Sequence, residues 1–230
     1  AVSEPYYSDD HVTIYHGDCL ELADLWTCAD VLVTDPPYGQ AYVDRLGRRV
    51  LGDSTTNARD RVLAEWGNRP ALAFGTWKVQ RPDDVRQVLI WHKLEVGYQG
   101  DCSLPWANTH EEVYVLGGPW DAPRSGSVLA AKAYQASGGG RPDHPTPKPP
   151  DLMRMLLAKC PPGVIADPFT GSGSTLRAAK DLGRKAIGIE LKESYFKQAK
   201  INLQFAANRE FADRSSEQQT LFEELETEAA

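Results

Sequence analysis

Short apolar runs alternate with amphipathic stretches along most of this 230-residue chain, and this alternation constrains the fold more than any other feature. Alternating strands and helices favour a parallel sheet that is covered by helices on both faces. The predicted strands are 12–15, 31–34, 71–74, 88–91, 111–115, 164–167 and 186–189, and the predicted helices are 18–26, 57–66, 150–159, 174–182 and 193–206. The sequence therefore predicts an α/β domain with a mostly parallel, seven-stranded sheet.

Two internal segments and the C-terminal segment lack this alternation. Residues 39–60 and 118–143 are predicted loops, and the second runs into a stretch rich in glycine and proline, which disfavours regular structure. Residues 1–206 are predicted to form one domain. Residues 207–230 contain seven acidic and two basic residues and predict a flexible, solvated tail.

The charge of the chain does not exclude an anionic partner. The net charge is −7, but without the acidic tail the chain has 25 acidic and 23 basic residues and is nearly neutral. Arg45, Arg48 and Arg49 lie together in the first predicted loop, where they can face phosphate groups. We therefore expect these three arginines to contribute to a nucleic-acid interface.

Composition argues against membrane, secreted and metal-dependent classes of protein. No apolar run reaches the length of a membrane span, and the first residues lack the pattern of a secretion signal. The four cysteines are scattered without metal-ligand spacing, which is typical of free thiols in a reducing compartment. The expectation is a cytoplasmic protein without a metal site.

The sequence VLVTDPPYGQ, residues 31–40, joins a buried strand to a charged and stiff turn. Asp35 follows the strand directly, and Pro36 and Pro37 restrict the backbone before Tyr38. On its own this motif is compatible with a rigid turn that ends a strand. It is equally compatible with a preorganised site that presents a carboxylate and an aromatic ring.

A second motif, VIADPFTGSGSTLRAAKDLG, joins a strand to a helix through a glycine-containing turn at residues 164–183. Asp167 ends the strand, Gly171 and Gly173 allow close approach of a ligand, and Ser174 and Thr175 begin the helix. The next predicted strand ends on Glu190, where a carboxylate can accept hydrogen bonds from a ribose. Both a dinucleotide and another adenosine cofactor fit this pattern.

Three blocks taken together, TDPPYG (34–39), HPTPKP (144–149) and DPFTGSGST (167–175), resemble the amino-group DNA methyltransferases that use S-adenosylmethionine. The resemblance covers most of residues 12–205. The TDPPYG block precedes the glycine block, as in the circularly permuted β class of this family. The resemblance thus implies a Rossmann-like class I methyltransferase fold, circularly permuted, with DNA as substrate and S-adenosylmethionine as cofactor.

The resemblance also implies roles for individual residues. Phe169, Gly171 and Gly173 match the loop against the methionine part of the cofactor, and Asp167 matches the acid near its amino group. Glu190 matches the ribose-binding acid, while Thr146 and Lys148 match the block near the cofactor carboxylate. The predicted cofactor-binding set is Asp18, Cys19, Asp35, Thr146, Lys148, Asp167, Phe169, Gly171, Gly173, Ser174, Thr175 and Glu190, with Asp18 and Cys19 in the block that holds adenine.

The predicted catalytic residues are Asp35, Pro36, Pro37 and Tyr38. An exocyclic amine is a poor nucleophile because its lone pair is delocalised into the base, and acceptors for both amine hydrogens make that lone pair available. Asp35 and the carbonyl of Pro36 can provide these acceptors, held in position by the prolines. Tyr38 offers a ring on which a base extruded from the duplex can stack, worth about 1–3 kcal/mol.

The identity of the base is open at this level. An aspartate at position 35 resembles the adenine-N6 enzymes, whereas serine is commoner in the cytosine-N4 enzymes. We expect adenine N6 as the target. A cytosine-N4 enzyme, and a protein that binds S-adenosylmethionine or nucleic acid without catalysis, are the alternatives.

The acidic tail contains a short motif of its own. Gln218, Leu221 and Phe222 have the spacing of peptides that dock on the bacterial replication sliding clamp. The alternative is a tail that packs on the body of the protein. Members of the methyltransferase class often dimerise, so a homodimer is a further expectation.

Overall fold

A computed structural model describes residues 4–43, 47, 52–94, 103–133 and 147–206. Within these ranges the strands are β1 Tyr7–Ser8, β2 Val12–His16, β3 Val31–Thr34, β4 Ala71–Gly75, β5 Gln87–Leu94, β6 His110–Leu116, β7 Val128–Lys132, β8 Ile165–Asp167 and β9 Ala186–Glu190. The helices are α1 Ala23–Trp26, α2 Asn57–Trp66, α3 Pro150–Leu157, α4 Ser174–Asp181 and α5 Glu193–Ala206. No helix in this part of the chain is long and apolar enough to cross a membrane.

The strands of the described chain form one sheet in the order β1-β2-β9-β8-β3-β4-β6-β5-β7. The neighbours from β2 to β4 are parallel, whereas β1 and β6 run antiparallel to their neighbours and β5 pairs in parallel with β7. All seven predicted strands are present. The predicted total of seven is too low, because the described residues form nine strands in a mixed sheet with a parallel centre.

The two additional strands lie at the two edges of the sheet. β1 contains only two residues. β7 lies inside the segment 118–143 that the sequence predicts as a loop, so this prediction is wrong for residues 128–132. An edge strand pairs on one side and buries little, and β7 buries only Ala131. The apolar pattern that identifies a central strand is therefore missing.

Helix boundaries differ from the predictions at three places. α4 ends at Asp181, one residue before the predicted end, whereas α2 spans Asn57–Trp66 as predicted and shortens the predicted loop 39–60. α1 is a single turn at 23–26 rather than a helix over 18–26. α3 ends at Leu157, two residues before the predicted end. These differences lie at element ends, where local pattern gives the weakest signal.

Helices cover both faces of the sheet, as predicted. Side chains of β3 and β4 alternate between the two faces, which is the period of two expected for a strand. Val31, Val33 and Leu72 pack on the side of α3, α4 and α5. Leu32 and Ala71 pack on the opposite side, in a cluster that contains Trp26 of α1 and Trp66 of α2.

The connections from the two central strands diverge and so create a crevice. From β3 the chain passes through α2 to β4 on one side, and from β8 it passes through α4 to β9 on the other. β3 and β8 are parallel neighbours. Ligands of open α/β sheets bind at such a switch point, beyond the carboxyl ends of the strands. The residues after β3 and β8 are therefore candidates for a ligand-binding site.

Substitution of Gly75, at the end of β4, is predicted to destabilise the fold. A Cβ atom at this position would overlap the ring of Tyr114. Tyr114 is fully buried and its hydroxyl donates to the carbonyl of Thr76 at 3.2 Å, so its ring has little room to move. Gly75→Ala should lower the free energy of unfolding by about 1–3 kcal/mol in urea denaturation.

Gly126 provides the matched control for this measurement. A Cβ atom there meets no atom within 4 Å. Gly126→Ala should leave the free energy of unfolding nearly unchanged. Equal stability of the Gly75 and Gly126 variants would contradict the tight packing around Tyr114.

Candidate active site

A pocket of about 570 Å³ opens at the switch point. Segments that are distant in sequence form its wall, because the carboxyl ends of β2, β3, β8 and β9 meet at one edge of the sheet. The lining residues include 17–20 after β2, 35–38 after β3, 168–169 after β8 and 190–191 at the end of β9, together with Lys93, Glu111 and Lys148. Both sequence motifs thus contribute to the same pocket.

Asp35 forms a partly buried ion pair at the wall of this pocket. The ammonium of Lys148 lies 2.6 Å from Oδ2 of Asp35, and the side chains are 5% and 21% exposed, respectively. Lys148 comes from the segment immediately before α3, which is predicted from sequence to lie near the cofactor carboxylate. The structure places this ammonium on the carboxylate of Asp35, and a contact with the cofactor remains a prediction.

Tyr38 and Glu111 extend the ion pair into a network. The Tyr38 hydroxyl lies 2.8 Å from Oδ1 of Asp35 and 3.1 Å from Oε2 of Glu111. Glu111 also lies 3.3 Å from Lys148 and 2.5 Å from Lys93 through different carboxylate oxygens. Glu111 and Lys93 are absent from the predicted site residues. The pairing of β5 with β6 brings them together, and their sequence spacing does not show this.

The charges of the network support one another. Burial alone would lower the pKa of Lys148, but the carboxylates of Asp35 and Glu111 outweigh burial and raise it. Burial alone would raise the pKa of Glu111, yet the charges of Lys148 and Lys93 lower it to about 2. Burial raises the pKa of Asp35, and the nearby charge of Lys148 opposes this rise. Glu111 is therefore held as a carboxylate.

Tyr38 is held as a neutral phenol. Burial and the neighbouring charges of Asp35 and Glu111 raise its pKa well above 10. The hydroxyl keeps its one proton and can donate it to either carboxylate. Lys148 also lies 5.5 Å from the centre of the Tyr38 ring, so the cation faces the π-system as well as the carboxylates.

The glycine turn between β8 and α4 is fixed by a carboxylate at each end. Asp167 accepts hydrogen bonds from the Thr34 hydroxyl at 2.9 Å and from the Phe169 N–H at 3.2 Å. Glu190 accepts from the Gly171 N–H at 2.7 Å. Gly171 has a φ of +53°, a left-handed conformation that glycine adopts without strain. Phe169, Gly171 and Glu190 line the pocket.

The remaining residues predicted from this motif lie behind the pocket wall. Asp167, Gly173, Ser174 and Thr175 are not among its lining residues. Gly173 has a φ of +82°, and a Cβ there would lie 3.0 Å from the Cβ of Ala199, so a glycine allows α5 to pack closely. The Thr175 side chain hydrogen bonds with Asp167. These residues position the turn, and direct cofactor contacts remain predictions for them.

The segment after β2 forms another part of the pocket wall. Asp18 accepts a hydrogen bond from the Leu20 N–H at 2.8 Å. The carbonyl of Cys19 accepts from the indole of Trp26 at 2.7 Å, which ties this segment to the core. Burial raises the pKa of the Cys19 thiol to about 12, so its sulfur stays protonated. Asp18 and Cys19 both line the pocket.

Asp53 is a pocket residue that the sequence motifs do not reveal. It is 4% exposed and accepts hydrogen bonds from the Gly39 N–H at 2.7 Å and the Tyr42 N–H at 2.8 Å. The carboxylate thereby holds the chain after Tyr38 against the pocket. A buried acid in a predicted loop gives no sequence signal, because its partners are backbone groups.

Several predicted residues lie outside the described parts of the chain. They are Arg45, Arg48 and Arg49 of the basic segment, Thr146 of the HPTPKP block, and Gln218, Leu221 and Phe222 of the tail. Among the residues that are described, no group of three or more histidines, cysteines and acids could hold a metal ion.

The titration of Asp167 should make the stability of the protein depend on pH. Burial raises its pKa from 3.8 to about 7, and the hydrogen bonds that it accepts oppose this without cancelling it. Between these values the folded state keeps a proton that the unfolded state releases. The free energy of unfolding should therefore fall as pH rises from about 4 to about 7.

Asp167→Asn removes this titrating group with little change of shape. As pH rises from about 4 to about 7, the free energy of unfolding of the wild type should fall relative to that of this variant. Urea denaturation at several pH values measures this difference. Asp24→Asn, at an exposed position, is the control and should follow the wild type. A stability difference for Asp167→Asn that is constant with pH would contradict the assignment.

Comparisons with known proteins agree with the resemblance of the motifs. The family model for N6/N4 DNA methylases matches residues 91–201. YubD of Escherichia coli (strain K12), which is named as a methylase, is 30% identical over 207 residues, which is 81% of this chain and 88% of YubD. The DNA adenine methyltransferase YhdJ of the same organism is 36% identical over 106 residues, which is 45% of this chain and 32% of YhdJ.

Solved structures show the same fold at low sequence identity. M1.HpyAVI in complex with SAM has a TM-score of 0.60 and 23% identity, over 84% of this chain and 100% of that chain. The cytosine-N4-specific PvuII DNA methyltransferase has a TM-score of 0.65 and 15% identity, over 96% of this chain and 95% of that chain. With motifs, family model and a relative matched over most of its length in agreement, the chain belongs to the N6/N4 family of DNA methylases.

Proposed function

We propose that this protein transfers a methyl group from S-adenosylmethionine to the exocyclic N6 of adenine in DNA. One observation carries the proposal. Asp35 is held against Lys148 at the wall of a pocket that it shares with the glycine turn after β8. An acceptor for a base amine and a site for an adenosine cofactor thus lie in one cavity, as direct transfer requires.

The pocket fits S-adenosylmethionine in size and in chemistry. Its volume lies within the range of about 300–1,000 Å³ that is typical of small-molecule sites. Asp18 and Glu190 offer carboxylate oxygens to the adenosine part, and Gly171 leaves room for close approach. Phe169 offers an aromatic wall. When bound, the cofactor supplies an electrophilic methyl group on a sulfonium.

The residues after β3 prepare the nucleophile. Oδ1 of Asp35 accepts one hydrogen of the target amine, and the carbonyl of Pro36 accepts the other, so the nitrogen lone pair becomes available. Methyl transfer from a bound cofactor would form a carbon–nitrogen bond as the carbon–sulfur bond breaks, and the nitrogen would then lose a proton. Because burial raises the pKa of Asp35, this carboxylate is suited to receive that proton.

A base must leave the DNA duplex to reach this position. The pocket takes up the base beside Tyr38, whose ring provides a stacking surface. Tyr42 and Lys78 also line the pocket, and Tyr42 is 42% exposed, which suits residues at the mouth of a DNA-facing site. We further propose that Arg45, Arg48 and Arg49 contact DNA phosphates.

Adenine is favoured over cytosine by two considerations. The aspartate at position 35 is the residue typical of adenine-N6 enzymes, and YhdJ is named for adenine. The PvuII enzyme is cytosine-N4-specific, but at 15% identity it bears on the fold alone. An N4-cytosine enzyme is the second candidate, since the same acceptors would serve its amine.

We also propose that the chain is circularly permuted within the class I methyltransferase fold. The TDPPYG block follows β3 and the glycine block follows β8, so the catalytic block precedes the cofactor block along the chain. The topology supports this, because the two blocks still meet at neighbouring strands. A homodimer also remains a prediction from the resemblance.

The C-terminal tail is proposed to dock on a bacterial sliding clamp through Gln218, Leu221 and Phe222. A fluorescently labelled peptide of residues 207–230 should gain anisotropy when the clamp is added, because an apolar groove can take up Leu221 and Phe222. A Phe222→Ala peptide is the matched control and should bind at least tenfold more weakly. Equal anisotropy of the two peptides would contradict a docking motif.

Loss of Asp35 should abolish catalysis and preserve cofactor binding. Asp35→Ala removes an acceptor for the target amine, so transfer of tritiated methyl to DNA should fall by about 10³-fold or more. The dissociation constant for S-adenosylmethionine, measured by calorimetry, should stay within about tenfold of the wild-type value. Asp83→Ala, at an exposed position, is the control and should retain full activity. Turnover by Asp35→Ala at the wild-type rate would contradict the proposed role.

A further inference from the structure

The Tyr38 hydroxyl presents a difficulty for the proposed reaction. It lies 2.8 Å from Oδ1 of Asp35, the oxygen that the proposed reaction assigns to the target amine. Lys148 already contacts Oδ2 of the same carboxylate at 2.6 Å. A carboxylate oxygen has two lone pairs, so a base amine that reaches Oδ1 must either share this oxygen with the Tyr38 hydroxyl or displace the hydroxyl from it. Release of a buried hydroxyl without a new partner would cost free energy.

Glu111 offers the hydroxyl that new partner. Its Oε2 atom lies 3.1 Å from the Tyr38 hydroxyl. A rotation about the C–O bond of Tyr38 therefore redirects the hydrogen bond of this hydroxyl from Asp35 to Glu111, and the proton stays on the phenol. The phenol has a single proton and donates it to one acceptor at a time. Asp35 and Glu111 are thus alternative acceptors for the Tyr38 hydroxyl, and the proposed reaction requires only Asp35 for the target amine.

Lys93 and Lys148 keep Glu111 in position for this task. Lys93 contacts Oε1 of Glu111 at 2.5 Å, and Lys148 contacts Oε2 at 3.3 Å. The Glu111 and Lys93 side chains are 17% and 13% exposed, so the pair is largely shielded from water. Together with Asp35, the group contains equal numbers of positive and negative charges. A carboxylate at 111 is thereby stabilised in a place where an isolated charge would be costly.

We propose that Glu111 is a positioning residue for methyl transfer, which accepts the Tyr38 hydroxyl when the target amine takes its place on Asp35. The inference rests on the proposed function, because it assumes that Asp35 accepts a hydrogen bond from the target amine. Glu111 acts through Tyr38 and does not itself touch the base. Its contribution should therefore appear in the rate of transfer and not in cofactor affinity.

A double-mutant cycle between Glu111 and Tyr38 tests this inference. Glu111→Gln keeps the shape of the side chain but weakens the acceptor, and Tyr38→Phe removes the hydroxyl while keeping the ring. Glu111→Gln should lower the single-turnover rate of methyl transfer to DNA about tenfold or more. The dissociation constant for S-adenosylmethionine should change less than about twofold. In the Tyr38→Phe background, Glu111→Gln should lower the single-turnover rate of methyl transfer less than about threefold, because no hydroxyl then needs a second acceptor.

Two results would overturn the inference. One is a Glu111→Gln rate within twofold of the wild-type rate. The other is an equal loss from Glu111→Gln with and without the Tyr38 hydroxyl, which would mean that Glu111 acts by another route. Asp35→Ala, assayed in parallel, separates this inference from the function itself. If Asp35→Ala is inactive and Glu111→Gln is fully active, the proposed function stands and the role of Glu111 falls.

A second set of variants separates a defect in folding from a defect in methyl transfer. Glu111→Gln leaves Lys93 without its carboxylate, so the cycle is repeated with Lys93→Met in every variant, which restores the balance of charge around Asp35 and Lys148. The rate ratios in this background should show the same dependence on Tyr38. If Glu111→Gln prevents folding in both backgrounds, Glu111 is a residue of structural stability and the inference is wrong.

Discussion

The partly buried ion pair between Asp35 and Lys148 joins segments 113 residues apart and determines how the site is built. Removing two charges from water is costly, and their attraction repays that cost only with good geometry and further hydrogen bonds. Tyr38, Glu111 and Lys93 supply these further contacts. The contacts made by each member of the network therefore offset the cost of removing the other charges from water.

The sheet provides the rigid frame for this pair. Thr34, at the end of β3, donates to Asp167 at the end of β8, so the two central strands are linked by a side-chain bond at the edge where the pocket opens. Asp35 follows that bond directly, and the glycine turn follows Asp167. A fully buried core on both faces leaves these strand ends little freedom to move. Asp35 and the glycine turn are thus held at a fixed separation, which suits the proposed reaction between two bound molecules.

Sequence alone predicts the parts of the fold and site that depend on local pattern. The central strands have continuous apolar runs, and the turns after β3 and β8 have unusual residues at fixed spacing, so each is visible in one short segment. β7 is not predictable in this way, because an exposed edge strand has no apolar period. Glu111, Lys93 and Asp53 are likewise hidden. Their roles depend on strand pairing and on backbone partners, and neither can be recognised from the neighbouring residues in the sequence.

We propose that Asp35 and its network prepare an adenine amine in DNA for methylation. The most direct measurement is nucleoside analysis by mass spectrometry of unmethylated DNA after incubation with the purified protein and S-adenosylmethionine. N6-methyldeoxyadenosine is the expected product. N4-methyldeoxycytidine as the sole product would contradict adenine as the target base, and the absence of any methylated amine would contradict DNA methyl transfer by this protein.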